Sequence, residues 1–467
     1  MTECHSGWGA CKAARWAAPL LFSDLGRQRI TADFRGGTLT SDAGALLLRE
    51  VDRQAGLIDA LAGCLTDPRD PAKVIHEQKT MLTQRIFGIA LGYEDLNDHD
   101  TLRHDPLFSV LAEQTPSSPG DGSAGAPLAS SPTLCRLENR ITRQALVRMS
   151  AVLVEQFIAS FDAPPQELIL DFDATDDAVH GQQEGRFFHG YYDQYCFLPL
   201  YVFCGDRLLV SYLRPSNIDA SLHTGAILKL LITRLRQAWP QVRIILRGDS
   251  GFCRWKLMRW CDRHDVFYVL GLGCNAVLER LAKPFMQAAE TQFEETQHKQ
   301  RNFHEVSYAA QTWDRQRRVI VKAERLTEGP NLRFVVTNLS DRAPTEIYDG
   351  LYTARGDMEN RIKEQQLGLF ADRTSCHKFL ANQFRLLLSS AAYVLVEHLR
   401  RTGLQGTELA EAQVTTIRLK LFKIAARVVA SVRRVMFHLS SAYPMRELFG
   451  AVLHRLTSPR GACPAPT

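Results

Sequence analysis

Residues 167–175 read ELILDFDAT. The apolar run is too short for an ordinary helix and has the length and flanks of a buried strand. It ends on two carboxylates, Asp171 and Asp173. A period of two puts both on one face of that strand. Burying a carboxylate is costly unless it is paired or binds a cation. A chain built around this string must therefore make a sheet with a charged site at one end.

A second strand has the same context. Residues 242–246, apolar but for Arg243, lead into Arg247-Gly248-Asp249-Ser250-Gly251. Two strands ending in carboxylates suggest a shared metal site, because magnesium prefers oxygen ligands and keeps several waters. The alternative is that these aspartates only cap turns or helices. A third acid stands in residues 352–369, YTARGDMENRIKEQQLGL. On a helix, Tyr352, Arg355 and Glu359 share one face. An ordinary ion pair accounts for Arg355 and Glu359 but not for the crowding of Asp357, Lys363 and Glu364 on the same helix.

The rest of the chain places these strings in an α/β protein. Residues 36–113 read as mostly helical. Residues 116–132 are dominated by Pro, Gly and Ser and mark a loop, after which a helix resumes over 133–161. Beyond Pro164 the texture changes. Strands are expected at 167–175, 196–204 and 208–213, then helix 221–239, strand 242–246, helix 253–264 and strand 266–270. Three more strands follow at 306–309, 318–324 and 332–338, and two long helices at 345–368 and 379–402.

Composition matters here only through where charge collects. Lys and Arg number 56 against 51 Asp and Glu, a net charge of +5. Such a balance permits a polyanionic partner if the basic residues are localised. Ile417, Leu421, Ile424, Val428, Val432 and Val435 form an apolar stripe at helical spacing. Arg418, Lys420, Lys423, Arg427, Arg433 and Arg434 surround it, with no acid between Ile417 and Arg446. This reads as a helix with either a solvated face or a phosphate-facing one. No run approaches the ~20 apolar residues that span a bilayer. The apolar run at 16–22, after Lys12 and Arg15, is too short for a signal peptide. Eleven scattered cysteines without a C-x-x-C pair are expected to be reduced thiols.

Two families share parts of this pattern. Residues 168–175 match hhhDxDxT, the first motif of haloacid-dehalogenase-type phosphatases, in which Asp171 would be the nucleophile and Asp173 the acid/base. That fold needs parallel strands after the motif, whereas hairpin strands are expected here, and its later paired acids are missing. The fuller resemblance is to DDE transposases of bacterial insertion sequences, in the branch with a Tyr-x-x-Arg-x-x-x-Glu helix. It rests on Asp173-Ala174-Thr175, on Arg247-Gly-Asp249-Ser-Gly-Phe252, and on Tyr352, Arg355 and Glu359. Residues 40–57 and 91–108 also look like that family's leading domain.

The resemblance covers the whole chain and implies a ribonuclease H-like catalytic core. The core would occupy 165–284 and 341–405 and be interrupted by a β-rich insertion at 285–340. A helical N-terminal region at 1–160, expected to bind DNA ends, and a basic helical region at 406–467 would flank it. Asp173, Asp249 and Glu359 would hold two Mg2+ ions, with Mn2+ able to substitute. Tyr352 and Arg355 would grip a DNA phosphate. The family's Lys, seven residues after the Glu, is here Gln366, and Lys363, one turn after Glu359, is its possible substitute. Asp171 is the runner-up for the first metal ligand. Trp313 is the candidate to stack on a flipped base, or else packs the insertion. The loop with His180, His189, Tyr191 and Tyr192 either meets DNA or is a packed hairpin, and no second His has ligand spacing to His189.

The implied function is a transposase that cuts at transposon ends and joins them to target DNA by two-metal hydrolysis and strand transfer. Its partners would be double-stranded DNA, namely terminal inverted repeats and target, and a second copy in a synaptic homodimer. No membrane is expected, and the location would be cytoplasmic, at the nucleoid. The competing readings are a magnesium-dependent phosphatase using Asp171 and a non-catalytic DNA-binding relative.

Overall fold

The computed structural model describes residues 19–116 and 126–458. Residues 16–18 of the run at 16–22, and the part of the Pro/Gly/Ser loop at 117–125, lie outside them. The chain opens with a feature the helical expectation for this region missed, an exposed antiparallel hairpin of β1 (Leu20–Leu25) and β2 (Gln28–Ala32). After the short β3 (Leu39–Thr40) come helices, among them Leu46–Ala55, Gln78–Leu91, Ser131–Asn139 and Arg143–Ala159.

The apolar string forms β4 (Glu167–Ala174). The next three strands, β5 (Asp177–Ala178), β6 (Phe187–His189) and β7 (Gln194–Phe197), make a separate small sheet in the order β5-β7-β6. Then follow β8 (Leu200–Cys204), β9 (Arg207–Tyr212), β10 (Arg243–Gly248) and β11 (Phe267–Leu272). The single strand expected over 196–204 is thus two strands in different sheets. Pro199, which has no N–H for a ladder, stands at the joint.

The third strand group is β12 (Gln300–Tyr308), β13 (Arg317–Leu326) and β14 (Gly329–Thr337). A helix not anticipated from sequence, Ala276–Thr296, precedes it and runs across position 285. Asn275 caps that helix, its Oδ1 accepting from the N–H groups of Val277 and Leu278 at 3.1 Å. The large sheet has the order β12-β13-β14-β11-β10-β4-β8-β9. β10 is parallel to both β4 and β11, and every other pairing is antiparallel. The result is a mixed α/β protein in which the carboxylate ends of β4 and β10 lie side by side.

The expected basic helix over 417–435 is corrected by the structure. Helical turns end at Phe422 and are followed by a hairpin, β15 (Ala426–Ser431) with β16 (Arg434–Leu439), and β15 pairs with β3. Val428, Val429 and Val435 are β-branched and favour strands. Ala426 and Val428 are buried while Arg427 and Val429 are exposed, a period of two rather than 3.6. Val432, which a helical stripe would have buried, is 98% exposed at the turn. Arg418 is not phosphate-facing either. Its Nε donates to the Ala90 carbonyl at 2.9 Å, and burial pushes its pKa down to about 10.

The helix Phe379–Leu399 is buried along almost its whole length. It shares one apolar core with Leu47, Phe87 and Leu153 of the N-terminal helices and with Val452 and Leu456 near the C-terminus. With the turn that extends it to Leu404 it is long and apolar enough to cross a membrane by composition, but 78% of its apolar window is buried inside the protein. That is the surrounding of a core helix.

Candidate active site

β4 delivers Asp171 and Asp173 to one end of the sheet. In register, Asp171 stands opposite Arg247 of β10. Arg247 donates to both Asp171 oxygens, its Nη2 to Oδ2 at 2.6 Å, and its Nη1 reaches the Leu351 carbonyl at 2.6 Å. Both side chains of the pair are nearly inaccessible. Burial pushes the Asp171 carboxyl up, and Arg247 pulls it back. The pair ties β4 and β10 to the helical segment that carries Tyr352, and it takes both oxygens of Asp171. In this structure Asp171 is thus committed to a buried ion pair across the sheet. The signal was present in the sequence, since Arg247 precedes Asp249 by two.

Asp173, two residues on, faces a different cation. Its Oδ2 accepts from Arg355 Nη1 at 2.9 Å and its Oδ1 from the Ala174 N–H at 2.9 Å. Arg355 Nη2 continues to Glu359 Oε1 at 3.0 Å. Burial first, then the negative charges of Asp249 and Glu359, raise the Asp173 pKa to about 6, against the pull of Arg355. Burial works against the charge of Arg355, but Asp173, Asp249 and Glu359 outweigh it and leave its pKa above the usual value. Arg355 is thus paired with two of the three acids, and Asp249 acts on it electrostatically from further off. Among the described residues no three Asp, Glu, His or Cys side chains stand close enough to hold a metal ion as they are. The expected direct convergence of carboxylates is corrected in this respect, because Arg355 lies among them as the counter-charge.

Asp249 begins a single helical turn at the end of β10, its Oδ1 accepting from the Gly251 N–H at 2.8 Å. Tyr352 lies beside it. A Cβ at Gly271 of β11 would come within 2.5 Å of the Tyr352 hydroxyl and 2.9 Å of the Ser250 nitrogen, so only glycine admits this approach. Residues 346–368 are one helical path whose pitch changes from wide π turns to a tight turn at Thr353–Arg355, to α over Gly356–Lys363, and back to π. Such departures from regular pitch are frequent at functional sites. Lys363 is exposed on this path, one turn beyond Glu359. Gln366 donates to the Asp176 carbonyl at 2.9 Å.

Two further expectations resolve differently. Trp313 is not brought to the acids. It sits in the β12–β13 turn, packed on Tyr308 at 5.4 Å with Arg317 5.6 Å from its ring. That turn adjoins Arg317, at the β13 end that pairs with the C-terminal end of β14. β14 in turn meets the early residues of β11 there, whereas the acids lie at the other end of the sheet. The 180–195 loop reaches Asp176, three residues beyond Asp173. Burial first, then the charges of Asp176 and Asp173, push the Tyr192 hydroxyl up to about 12. Asp176 accepts from Gln194 Nε2 at 2.5 Å. Asp176 and Gln194 carried no sequence signal. His180 is exposed, and His189 packs on Tyr192 at 5.0 Å.

A family model described as transposase DDE domain group 1 matches residues 22–460. Among solved structures, the chain is similar to a piggyBac transposase synaptic complex with hairpin DNA, seen by cryo-EM. The match has 8% identity and a TM-score of 0.42 and covers 82% of this chain and 80% of that one. No curated protein matches the chain.

Proposed function

The chain belongs to the transposase DDE domain family, group 1, and from that premise we propose that Asp173, Asp249 and Glu359 are the acids with which it cuts DNA at transposon ends and joins those ends to a target. The observation that carries this reading is that Arg355 bridges Asp173 and Glu359 at the end of the sheet where Asp249, at the end of the neighbouring strand β10, also stands.

The reading includes a ribonuclease H-like core and the Tyr-x-x-Arg-x-x-x-Glu branch. The strand run β9-β8-β4-β10-β11, with its first three strands antiparallel and β10 and β11 parallel to β4, supports the former. Tyr352, Arg355 and Glu359 on one helical path beside Asp249 support the latter.

The donor set fits divalent magnesium or manganese, since carboxylate oxygens suit hard cations, and a cation would offset both the burial that chiefly lifts Asp173 and the repulsion from its neighbouring acids. Asp173, Asp249 and Glu359 would hold the ions, which supply charge neutralisation at the phosphorus when bound. Arg355 would then exchange its carboxylate partners for a DNA phosphate, with Tyr352 beside it and Lys363 further along the path. A water cuts the strand, and the freed 3′-hydroxyl attacks a second phosphodiester. Terminal inverted repeats and target DNA are the partners, a homodimer holds two ends, and the bacterial nucleoid is the place of action.

The phosphatase reading loses its nucleophile in the buried Asp171–Arg247 pair. The test is purified protein with Mg2+ and a duplex carrying the flanking inverted repeat. A nick should appear at the repeat boundary, and Asp173→Asn, Asp249→Asn and Glu359→Gln should each abolish it with DNA binding retained. Full cleavage by any of the three would overturn the assignment, and wild-type binding without cleavage would favour a non-catalytic relative.

A further inference from the structure

The β6–β7 hairpin leaves uncovered what soluble proteins usually bury. Phe188 is 53% exposed, Tyr195 48% and Tyr191 86%. Phe188 and Tyr195 are cross-strand partners with ring centroids 5.6 Å apart. The guanidinium of Arg186 lies 4.3 Å over the Tyr195 ring. Tyr191 stands edge-on to Tyr192 at 5.0 Å. The turn end of the hairpin is the one near the acids, because Gln194 beside the turn donates to Asp176, three residues beyond Asp173. The other end adjoins a groove of about 620 Å³ whose walls include Phe187, Phe379, Arg143 and Lys378.

Charges of both signs border this strip, and its cations stand closest to the rings. Arg143 and Lys378 are exposed at the groove, and Arg186 stands on the hairpin. Three acids are also nearby: Glu184, which accepts from the Phe379 N–H at 3.1 Å, Asp176, which accepts from Gln194, and Asp193 at the turn. Exposed apolar patches of this kind mark interaction sites. Aromatic faces interleaved with cations fit one occupant in particular, a nucleic-acid strand whose bases are unpaired, since every base has a π face and every link a phosphate. A duplex hides its base faces and would leave the rings without partners.

We infer that the hairpin of Phe188, Tyr191 and Tyr195, with Arg186 among them, is a stacking platform for unpaired nucleobases of a DNA strand leading away from the acidic site. The inference rests on the reading of that site as the place where DNA is cut. Over its short length the platform takes about two or three bases, given a rise of ~3.3 Å per strand residue.

The test uses the full chain and two probes, a single-stranded oligonucleotide carrying 2-aminopurine and a blunt duplex of the transposon end. Phe188→Ala with Tyr195→Ala, and separately Tyr191→Ala, should weaken single-strand binding by about tenfold or more and remove the quenching of 2-aminopurine. Duplex affinity and the melting temperature should stay at wild-type values, and Tyr191→Phe and Tyr195→Phe should keep both single-strand signals. Unchanged single-strand affinity and quenching in the alanine variants would overturn the platform. So would conversion of a DNA-free dimer to monomers by those variants, which would assign the rings to a second copy. Failure of the wild-type protein to cut a transposon end would instead count against the reading of the acids, because single-strand stacking is measured without cleavage.

Discussion

Arg355 holds Asp173 at 2.9 Å and Glu359 at 3.0 Å with two nitrogens of one guanidinium. The residue expected to grip DNA thus occupies the ground that a cation would need. An opposite charge at this range shifts carboxylate ionisation by about 1–3 pK units. Arg355→Ala should therefore strengthen divalent-cation binding to the DNA-free protein, by about tenfold or more on that basis, while lowering cleavage. Calorimetric titration with Mn2+ reads the first effect. Unchanged or weaker Mn2+ binding in the variant would show that Arg355 does not compete for the acids.

Asp173 titrates near 6 because it is buried among negative charges. Its folded-state pKa lies above the unfolded value, so the folded protein holds an extra proton between about pH 4 and 6. Stability contributed there is lost as pH rises, and Asp173→Asn should raise the melting temperature at pH 7. Below about pH 6 a proton competes with any cation at this carboxylate. Mn2+ affinity should then fall with acidity in wild type and show a flatter profile in Asp173→Asn.

Asp171 separates from Asp173 by the opposite response. Breaking a buried ion pair from one side costs about 3–5 kcal/mol. Arg247→Met should destabilise the fold on that order, since it leaves the Asp171 carboxylate buried and alone. Asp173→Asn should not. Denaturant unfolding of the two variants decides it, and a stable, fully active Arg247→Met would remove the structural role given to the pair.

Trp313 contributes packing. It is half-buried against Tyr308 and Arg317, so Trp313→Ala should cost less than the ~3–5 kcal/mol of a fully buried ring. DNA affinity should not change. A large loss of end binding with normal stability would restore a DNA-facing role.

The C-terminal hairpin carries Arg427, Arg433 and Arg434, all exposed. If it meets phosphates, Arg433→Glu with Arg434→Glu weakens DNA binding at every sequence. It also lowers the slope of log affinity against log salt by about one for each phosphate no longer neutralised. A slope equal to wild type would leave these residues as surface charge only.

Much of the sheet was legible because β4, β10 and β11 are apolar runs of strand length ending in Gly, Asp or turn residues. That Asp173 and Asp249 end neighbouring strands was legible in the two strings. The position of Arg355 was not, since an i,i+4 pair says nothing of a third partner 182 positions away. The C-terminal hairpin was misread because Val428, Val432 and Val435 satisfy a helical spacing by coincidence. What decided the matter was pairing with β3, a strand nearly 390 residues distant that no local pattern contains. Asp171 looked catalytic because strand periodicity fixes a side chain's face and not its neighbour across the sheet.

The helix Phe379–Leu399 touches both helical ends of the chain as well as the large sheet. It can stay apolar only because residues far from it in sequence close over it. A chain trimmed to the sheet and its insertion would lay that surface bare, with the length and hydropathy of a lipid anchor. The flanking helices are thus also what keeps that surface out of water.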